Sequence, residues 1–258
     1  MPYYSPLRYP GGKRKLSNFI KLTLEQNQLI SIDYIEPYAG GASIALALLY
    51  DEYVRNIHIN DLDYSIYAFW YSILNETDAF CRLVRDTDVT IEERKHQQQV
   101  QGDKSASLLE RGFSTFFLNR TSRSGIINGG VIGGKDQVGT WKIDARYNKV
   151  ELITRISKDA RYRNRIRLYN KDAIDLLRIV VPSIPSRIFI YLDPPYYVKG
   201  RQKLYTNFYE PADHKTVADF LLGSKNFYWV TSYDDVDEIR KLYSGHQHLS
   251  YDLHYSAQ

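Results

Sequence analysis

Apolar positions along the chain follow two rhythms separated by a long polar stretch. Leu16, Ile20 and Leu24 recur four residues apart with Phe19 beside them, which predicts an amphipathic helix after the pair Gly11 and Gly12. Leu29 to Glu36 is rich in β-branched residues and ends at Pro37, Gly40 and Gly41. It reads as a strand and a glycine turn before a helix over Ala42 to Tyr50. A second short strand, Asn56 to Asn60, stops at Asp61, and Leu62, Ile66, Trp70 and Ile73 mark the next helix. Strand and helix alternating in this way predict an α/β sheet.

Between about Asn75 and Arg165 the pattern turns to polar helices, including Ile91 to Gln101 and Ser107 to Leu118. A loop without clear periodicity follows, holding six of the 15 glycines between Gly125 and Gly139. Next comes a helix with Val150, Ile153, Ile156 and Ala160 on one side and Arg155, Lys158, Arg161 and Arg165 mostly on the other. The first rhythm then resumes. It predicts a strand at Ile166 to Tyr169, a helix at Ala173 to Val180, a strand at Ile188 to Leu192, a helix at Ala212 to Leu222, a strand at Phe227 to Thr231 and a helix at Val236 to Tyr243. Leu249, Tyr251, Leu253 and Tyr255 alternate with His248, Ser250, Asp252 and His254 as in a half-buried strand. The expected architecture is a doubly wound α/β sheet from residues 1–75 and 166–258, interrupted by a mainly helical insertion over 76–165.

Composition narrows the class. At 258 residues, 43% apolar and 25% charged, the chain suffices for a large domain with an insertion and excludes a disordered or fibrous protein. Its single cysteine, Cys81, excludes a disulfide framework and a cysteine-based metal site. No apolar run reaches the length of a membrane span, and Met1 to Ser17 lacks the apolar core of a signal peptide, so a cytoplasmic protein is expected. The net charge of +4 conceals an asymmetry. From Arg94 to Lys171 there are 17 basic and 6 acidic residues, a net of +11, which leaves −7 for the remainder. That basic stretch suggests a polyanion partner; a solvated basic surface is the plainer alternative.

Ligands of open α/β sheets bind beyond the carboxyl ends of strands, so the residues directly after each strand carry the candidate chemistry. Glu36-Pro37-Tyr38-Ala39-Gly40-Gly41 permits close backbone approach at a helix N-terminus, yet it is neither a dinucleotide G-x-G-x-x-G nor a P-loop. Asp61, 21 residues after Gly40, suits either the ribose hydroxyls of a nucleoside or the N-cap of the next helix. Asp193-Pro194-Pro195-Tyr196 is the most informative. Its prolines remove backbone donors, leaving the Asp193 carboxylate and the Pro194 carbonyl as acceptors suited to an amino group, with the Tyr196 ring as a stacking surface. Arg8-Tyr9-Pro10-Gly11-Gly12-Lys13, taken alone, is a basic glycine turn before a helix.

In their order, these four segments resemble the alpha class of Dam-like, D12-type DNA adenine-N6 methyltransferases, which use S-adenosylmethionine. R-Y-P-G-G-K precedes E-P-Y-A-G-G, then N-D after the second strand, then a long basic insertion, then D-P-P-Y. The insertion looks like that family's target-recognition region, with F-F-L-N-R-T-S-R-S-G-I from Phe116 to Ile126 and D-A-R-Y-N-K from Asp144 to Lys149. The resemblance covers nearly the whole chain and implies a Rossmann-like methyltransferase fold. By it, Tyr9, Gly12, Lys13, Asp61 and Asp193 match positions that contact S-adenosylmethionine, and Glu36 and Gly40 line its methionine end. Asp172 stands where the family often has an acid followed by an aromatic residue; here Ala173 follows.

The implied reaction moves the sulfonium methyl group to N6 of an adenine flipped out of double-stranded DNA, with Asp193, Pro194 and Tyr196 as the catalytic set. Asn119, Arg120, Ser122 and Arg123 are the candidates for probing bases. Cytosine-N4 methylation, an RNA substrate and an inactive cofactor-binding DNA-recognition module are the alternatives. No metal is expected, His246 and His248 lacking ligand partners in sequence. A restriction endonuclease acting on the same site is the further partner considered.

Overall fold

Two strands lie at the centre of a sheet covered on both faces, one of them carrying the buried carboxyls of Asp33 and Glu36. β1 (Ile32–Glu36) and β4 (Ile188–Leu192) are buried at every position. The computed structural model describes residues 4–8, 16–198, 209–223 and 226–251. In it five parallel strands run in the order β3-β2-β1-β4-β5, with β2 at Val54–Asn60, β3 at Ile166–Tyr169 and β5 at Tyr228–Thr231. The chain winds outward from β1 to β3 and then returns to the other side of β1. The winding direction therefore reverses between β1 and β4, which opens a crevice beyond their carboxyl ends.

Alternation along the central strands assigns the two faces. Tyr34, Phe189 and Tyr191 join one apolar cluster with α1 (Ser17–Gln26), α2 (Ser43–Tyr50) and α3 (Tyr64–Asn75). Ile35, Ile188, Ile190 and Leu192 join a second with α8 (Ala173–Val180), α9 (Pro211–Gly223) and α10 (Asp237–Leu242). The same two-residue period puts Glu36 with Tyr34, and Asp193 with Tyr191, on one face.

The basic stretch shares the first cluster. Beyond α4 (Thr77–Asp86) and α5 (Ile91–Gly102), α6 (Leu108–Thr121) packs against α3 so closely that a Cβ on Gly112 would lie 2.6 Å from the Ala68 carbonyl oxygen. Glycine alone fits there. Around that contact Phe69 stacks on Phe116 at 6.0 Å, and Phe80, Phe113, Phe117 and Tyr147 complete an aromatic group. Residues 76–165 thus have no core separate from that of the sheet.

The α/β expectation stands, with local corrections. β1 begins at Ile32 rather than Leu29, because Gln28 and Ser31 adopt left-handed backbone at φ 54° and 61°. α3 begins at Tyr64, leaving Leu62 exposed. α4 is an additional helix, carried by the stripe Phe80, Cys81 and Val84. In α7 (Lys149–Arg161) the buried residues are Leu152, Ile156 and Asp159, while Val150 is 78% exposed. Residues 247–251 form no strand and are exposed, so the alternation at Leu249 and Tyr251 is not that of a half-buried edge; the rest of it lies outside the described residues. Among the described residues no helix is long and apolar enough to cross a membrane.

Candidate active site

The loops that leave β1, β2 and β4 meet at the crevice. At β1, Glu36 is buried, and its Oε2 accepts from the Ala45 amide at 3.2 Å and from the Tyr34 hydroxyl at 3.3 Å. α2 has no side-chain cap of its own, because its N-cap is Ala42, whose methyl group offers no acceptor. Glu36 therefore performs the capping role from the preceding strand. Burial, with a further push from the nearby Asp193 charge, raises the Glu36 carboxyl to about 8.

At β2, Asp61 does not cap α3. Asp63 does, accepting from Ser65 at 2.8 Å. Asp61 instead accepts from the Gly40 amide at 2.9 Å on Oδ2 and from the Asp63 amide at 2.9 Å on Oδ1, joining the first two strand exits. Gly40 holds a φ of 47°, and its carbonyl accepts from the Trp70 indole at 2.9 Å. Burial pushes the Asp61 carboxyl up to about 7. Asn60, the first residue of the N-D pair, donates to the Pro37 and Lys171 carbonyls at 2.9 and 3.0 Å and accepts from the Lys171 amide at 3.0 Å. It ties the exits of β1, β2 and β3 together from a fully interior position.

Asp172 is exposed and caps α8, with Oδ1 accepting from Ile174 and Asp175 at 2.9 and 3.2 Å. Its charge adds to the burial that raises the hydroxyl pKa of Tyr38, which hydrogen-bonds Tyr209 at 2.8 Å. Tyr9, Gly12 and Lys13 lie outside the described residues.

At β4, the Asp193 carboxylate accepts from the Ser232 hydroxyl at 2.9 Å, and Ser232 is in turn 2.9 Å from the Tyr191 hydroxyl. Pro194 is buried and Tyr196 half-buried. Beyond them, Asp234 accepts from the amides of Tyr197 and Val198 at 2.8 and 2.9 Å. Neither Ser232 nor Asp234 emerges from the sequence reading. Their signal in the sequence is position: both lie at the exit of a strand, as Glu36, Asp61 and Asp193 do.

Of the four residues expected to probe bases, three are interior. Asn119 accepts from the Arg8 amide at 2.8 Å and donates to the Arg8 and Gly125 carbonyls at 2.6 and 2.7 Å. Arg120 donates to the Pro6 carbonyl, and burial, with Arg155 and Arg8 adding to it, lowers its pKa to about 9, so it remains a cation at neutral pH. Ser122 accepts from Arg94 at 2.9 Å. Asn119 and Arg120 thus fasten Arg8 and Pro6 to α6, and Ser122 ties α5 to the end of that helix; of the four, Arg123 is exposed. His246 and His248 are exposed and take separate partners, the Trp229 ring and the Tyr243 carbonyl.

The buried carboxyls make stability depend on pH. Asp61, Glu36 and also Asp159, which accepts from Tyr50 and is raised to about 8 by burial, titrate higher in the fold than in the unfolded chain. The fold therefore binds more protons than the unfolded chain from about pH 4 to 8, and its stability falls as pH rises through that window. The ligand-free protein is expected to melt roughly 10 °C lower at pH 9 than at pH 6. Thermal melts across that range check it; a Tm that rises toward pH 9 would contradict the burial of these groups.

The family model described as D12 class N6 adenine-specific DNA methyltransferase matches residues 9–257, nearly the whole chain. No curated protein matches.

Proposed function

Because the chain belongs to the D12 class of N6 adenine-specific DNA methyltransferases, whose methyl donor is S-adenosylmethionine, we propose that the β1–β4 crevice is where donor and target adenine meet. The observation that carries this reading is the placement of Glu36 and Asp193 on one sheet face, at the point where the winding reverses. Two carboxyls raised by burial, Glu36 and Asp61, fit a cationic ligand, which would favour their ionised forms. Gly40 offers the backbone approach, Asp61 the ribose contact and Asp172 the far edge, with Tyr9, Gly12 and Lys13 closing the set. The donor supplies an activated methyl group. Everything else falls to the chain.

Asp193 and the Pro194 carbonyl are the acceptors for the two hydrogens of the adenine amino group. Its lone pair is delocalised into the ring, and acceptors on its hydrogens draw nitrogen toward a tetrahedral shape that frees the pair for in-line attack. The new N–C bond would form as the donor's S–C bond breaks, leaving a neutral thioether, and the excess proton on nitrogen would pass to Asp193 or to water. Tyr196 supplies the ring face for an adenine turned out of the duplex, offsetting about a few kcal/mol of lost stacking. Residues 76–165 supply the DNA contacts, through Arg123 and the exposed Lys135, Lys142 and Arg146 side of the glycine-rich loop. A cognate endonuclease is a proposal of the same kind, resting on a site-specific reaction.

The test is to expose a plasmid to the protein and S-adenosylmethionine, digest it to nucleosides and map the modified positions. N6-methyladenine confined to one short sequence is the expected product. N4-methylcytosine, or methyl groups scattered without sequence preference, would overturn the reading.

A further inference from the structure

The segment leaving β5 grips the proposed acceptor turn at both ends. Ser232 continues the ladder for one residue, its amide donating to the Leu192 carbonyl at 2.9 Å, which brings its side chain beside Asp193. It is 8% exposed. Its hydroxyl has a single hydrogen, donated to Asp193 Oδ1 at 2.9 Å, so it accepts from the Tyr191 hydroxyl at 2.9 Å. Two residues on, the Asp234 carboxylate spans the other end, Oδ1 accepting from Tyr197 and Oδ2 from Val198. Tyr196 lies between the two grips.

The turn itself explains why outside support matters. Pro194 and Pro195 have no amide hydrogen, so the first half of the turn cannot hold its shape through backbone donors. The carboxylate can turn about its side-chain torsions unless a partner fixes it, and the height of the Tyr196 ring depends on where the chain is tied at residues 197 and 198. A catalytic acceptor must be fixed to within about half an ångström to aid its step.

We propose that Ser232 and Asp234 are positioning residues for methyl transfer: Ser232, backed by Tyr191, sets the orientation of the Asp193 carboxylate, and Asp234 sets the station of Tyr196. This rests on the reading above, that Asp193 and Tyr196 meet the target adenine. Ser232 acts on the step through Asp193. Its influence therefore falls on the rate of the step more than on binding.

Ser232→Thr and Ser232→Val provide the test, because they differ in a hydroxyl for a methyl group at nearly equal volume. Single-turnover methyl transfer and KM for DNA and for S-adenosylmethionine are measured on both, with thermal melts and Asp193→Ala alongside. The valine variant is expected to lose about 30-fold in kcat, with both KM values within about threefold of the parent. The threonine variant should recover to within about threefold of the parent rate. Asp234→Ala should weaken DNA capture, raising the KM for DNA. Equal kcat in the threonine and valine variants overturns the proposal, as does a loss in valine that appears wholly in KM or tracks a lower Tm. Asp193→Ala separates the two failures: if it stays active, the reading of the site is wrong, and if it is inactive while the valine variant is normal, only the positioning role is.

Discussion

Asp193→Ala is expected to lower the methyl-transfer rate by about 10³-fold while changing DNA affinity by less than about threefold. The asymmetry follows from when the interaction matters. In the ground state the adenine amino group is nearly planar and a hydrogen bond to Asp193 does little that water would not do. As the nitrogen takes on positive charge the same bond strengthens, so its removal is felt in the transition state. Affinity is supplied elsewhere, by the lysines and arginines of the +11 stretch. Asp193→Asn should be milder, with a loss of about 10². Ser232 can reverse its hydroxyl toward Tyr191 and accept from the new amide, which would leave the amide oxygen facing the substrate. Rates at saturating DNA and donor, beside equilibrium binding of the same duplex, check both variants. An alanine variant within tenfold of the parent rate would remove Asp193 from the chemistry.

That expectation was within reach of the sequence, since strand β4 and its D-P-P-Y exit are legible as an apolar run broken by prolines. The same holds for Glu36, Gly40 and Asp61, each at a strand end where polar groups are otherwise costly. What supports Asp193 was not legible. Ser232 is brought to it by the pairing of β5 with β4, a contact across 39 residues that no local period encodes. The interior placement of Asn119, Arg120 and Ser122 was illegible for a related reason. From Gly112 to Thr121 every residue of α6 is buried, so the helix has no solvent face for its polar residues to mark. Polar side chains in a basic region look like nucleic-acid contacts until the chain that needs them, here residues 5–8, is laid against them. The misplaced stripe of α7 belongs with these, because Asp159 spends its polarity inside, on Tyr50.

Asn119→Ala accordingly tests an anchor and not a reader. The side chain satisfies the amide and carbonyl of Arg8 and the carbonyl of Gly125, and alanine leaves these three backbone groups without that partner in a water-poor interior. At about 1 kcal/mol or more for each group left unsatisfied, the loss is about 3 kcal/mol, which lowers Tm by roughly 6–12 °C in a chain of this size. The segment lies so close to Gly125 that a Cβ there would come within 2.2 Å of the Arg8 carbonyl oxygen. Arg120 on Pro6 and Arg155 on Ser5, the latter at 3.2 Å, hold the same four residues. The affinity for S-adenosylmethionine should fall with the anchor, since Arg8 leads directly into Tyr9, Gly12 and Lys13, the proposed cofactor contacts. Arg123→Ala is the counterpart: exposed and four residues away, it should move Tm by less than about 2 °C and weaken DNA binding instead. The two variants separate the roles by melting temperature and donor binding. An Asn119→Ala protein with unchanged Tm and donor affinity that had lost only DNA discrimination would return Asn119 to the bases.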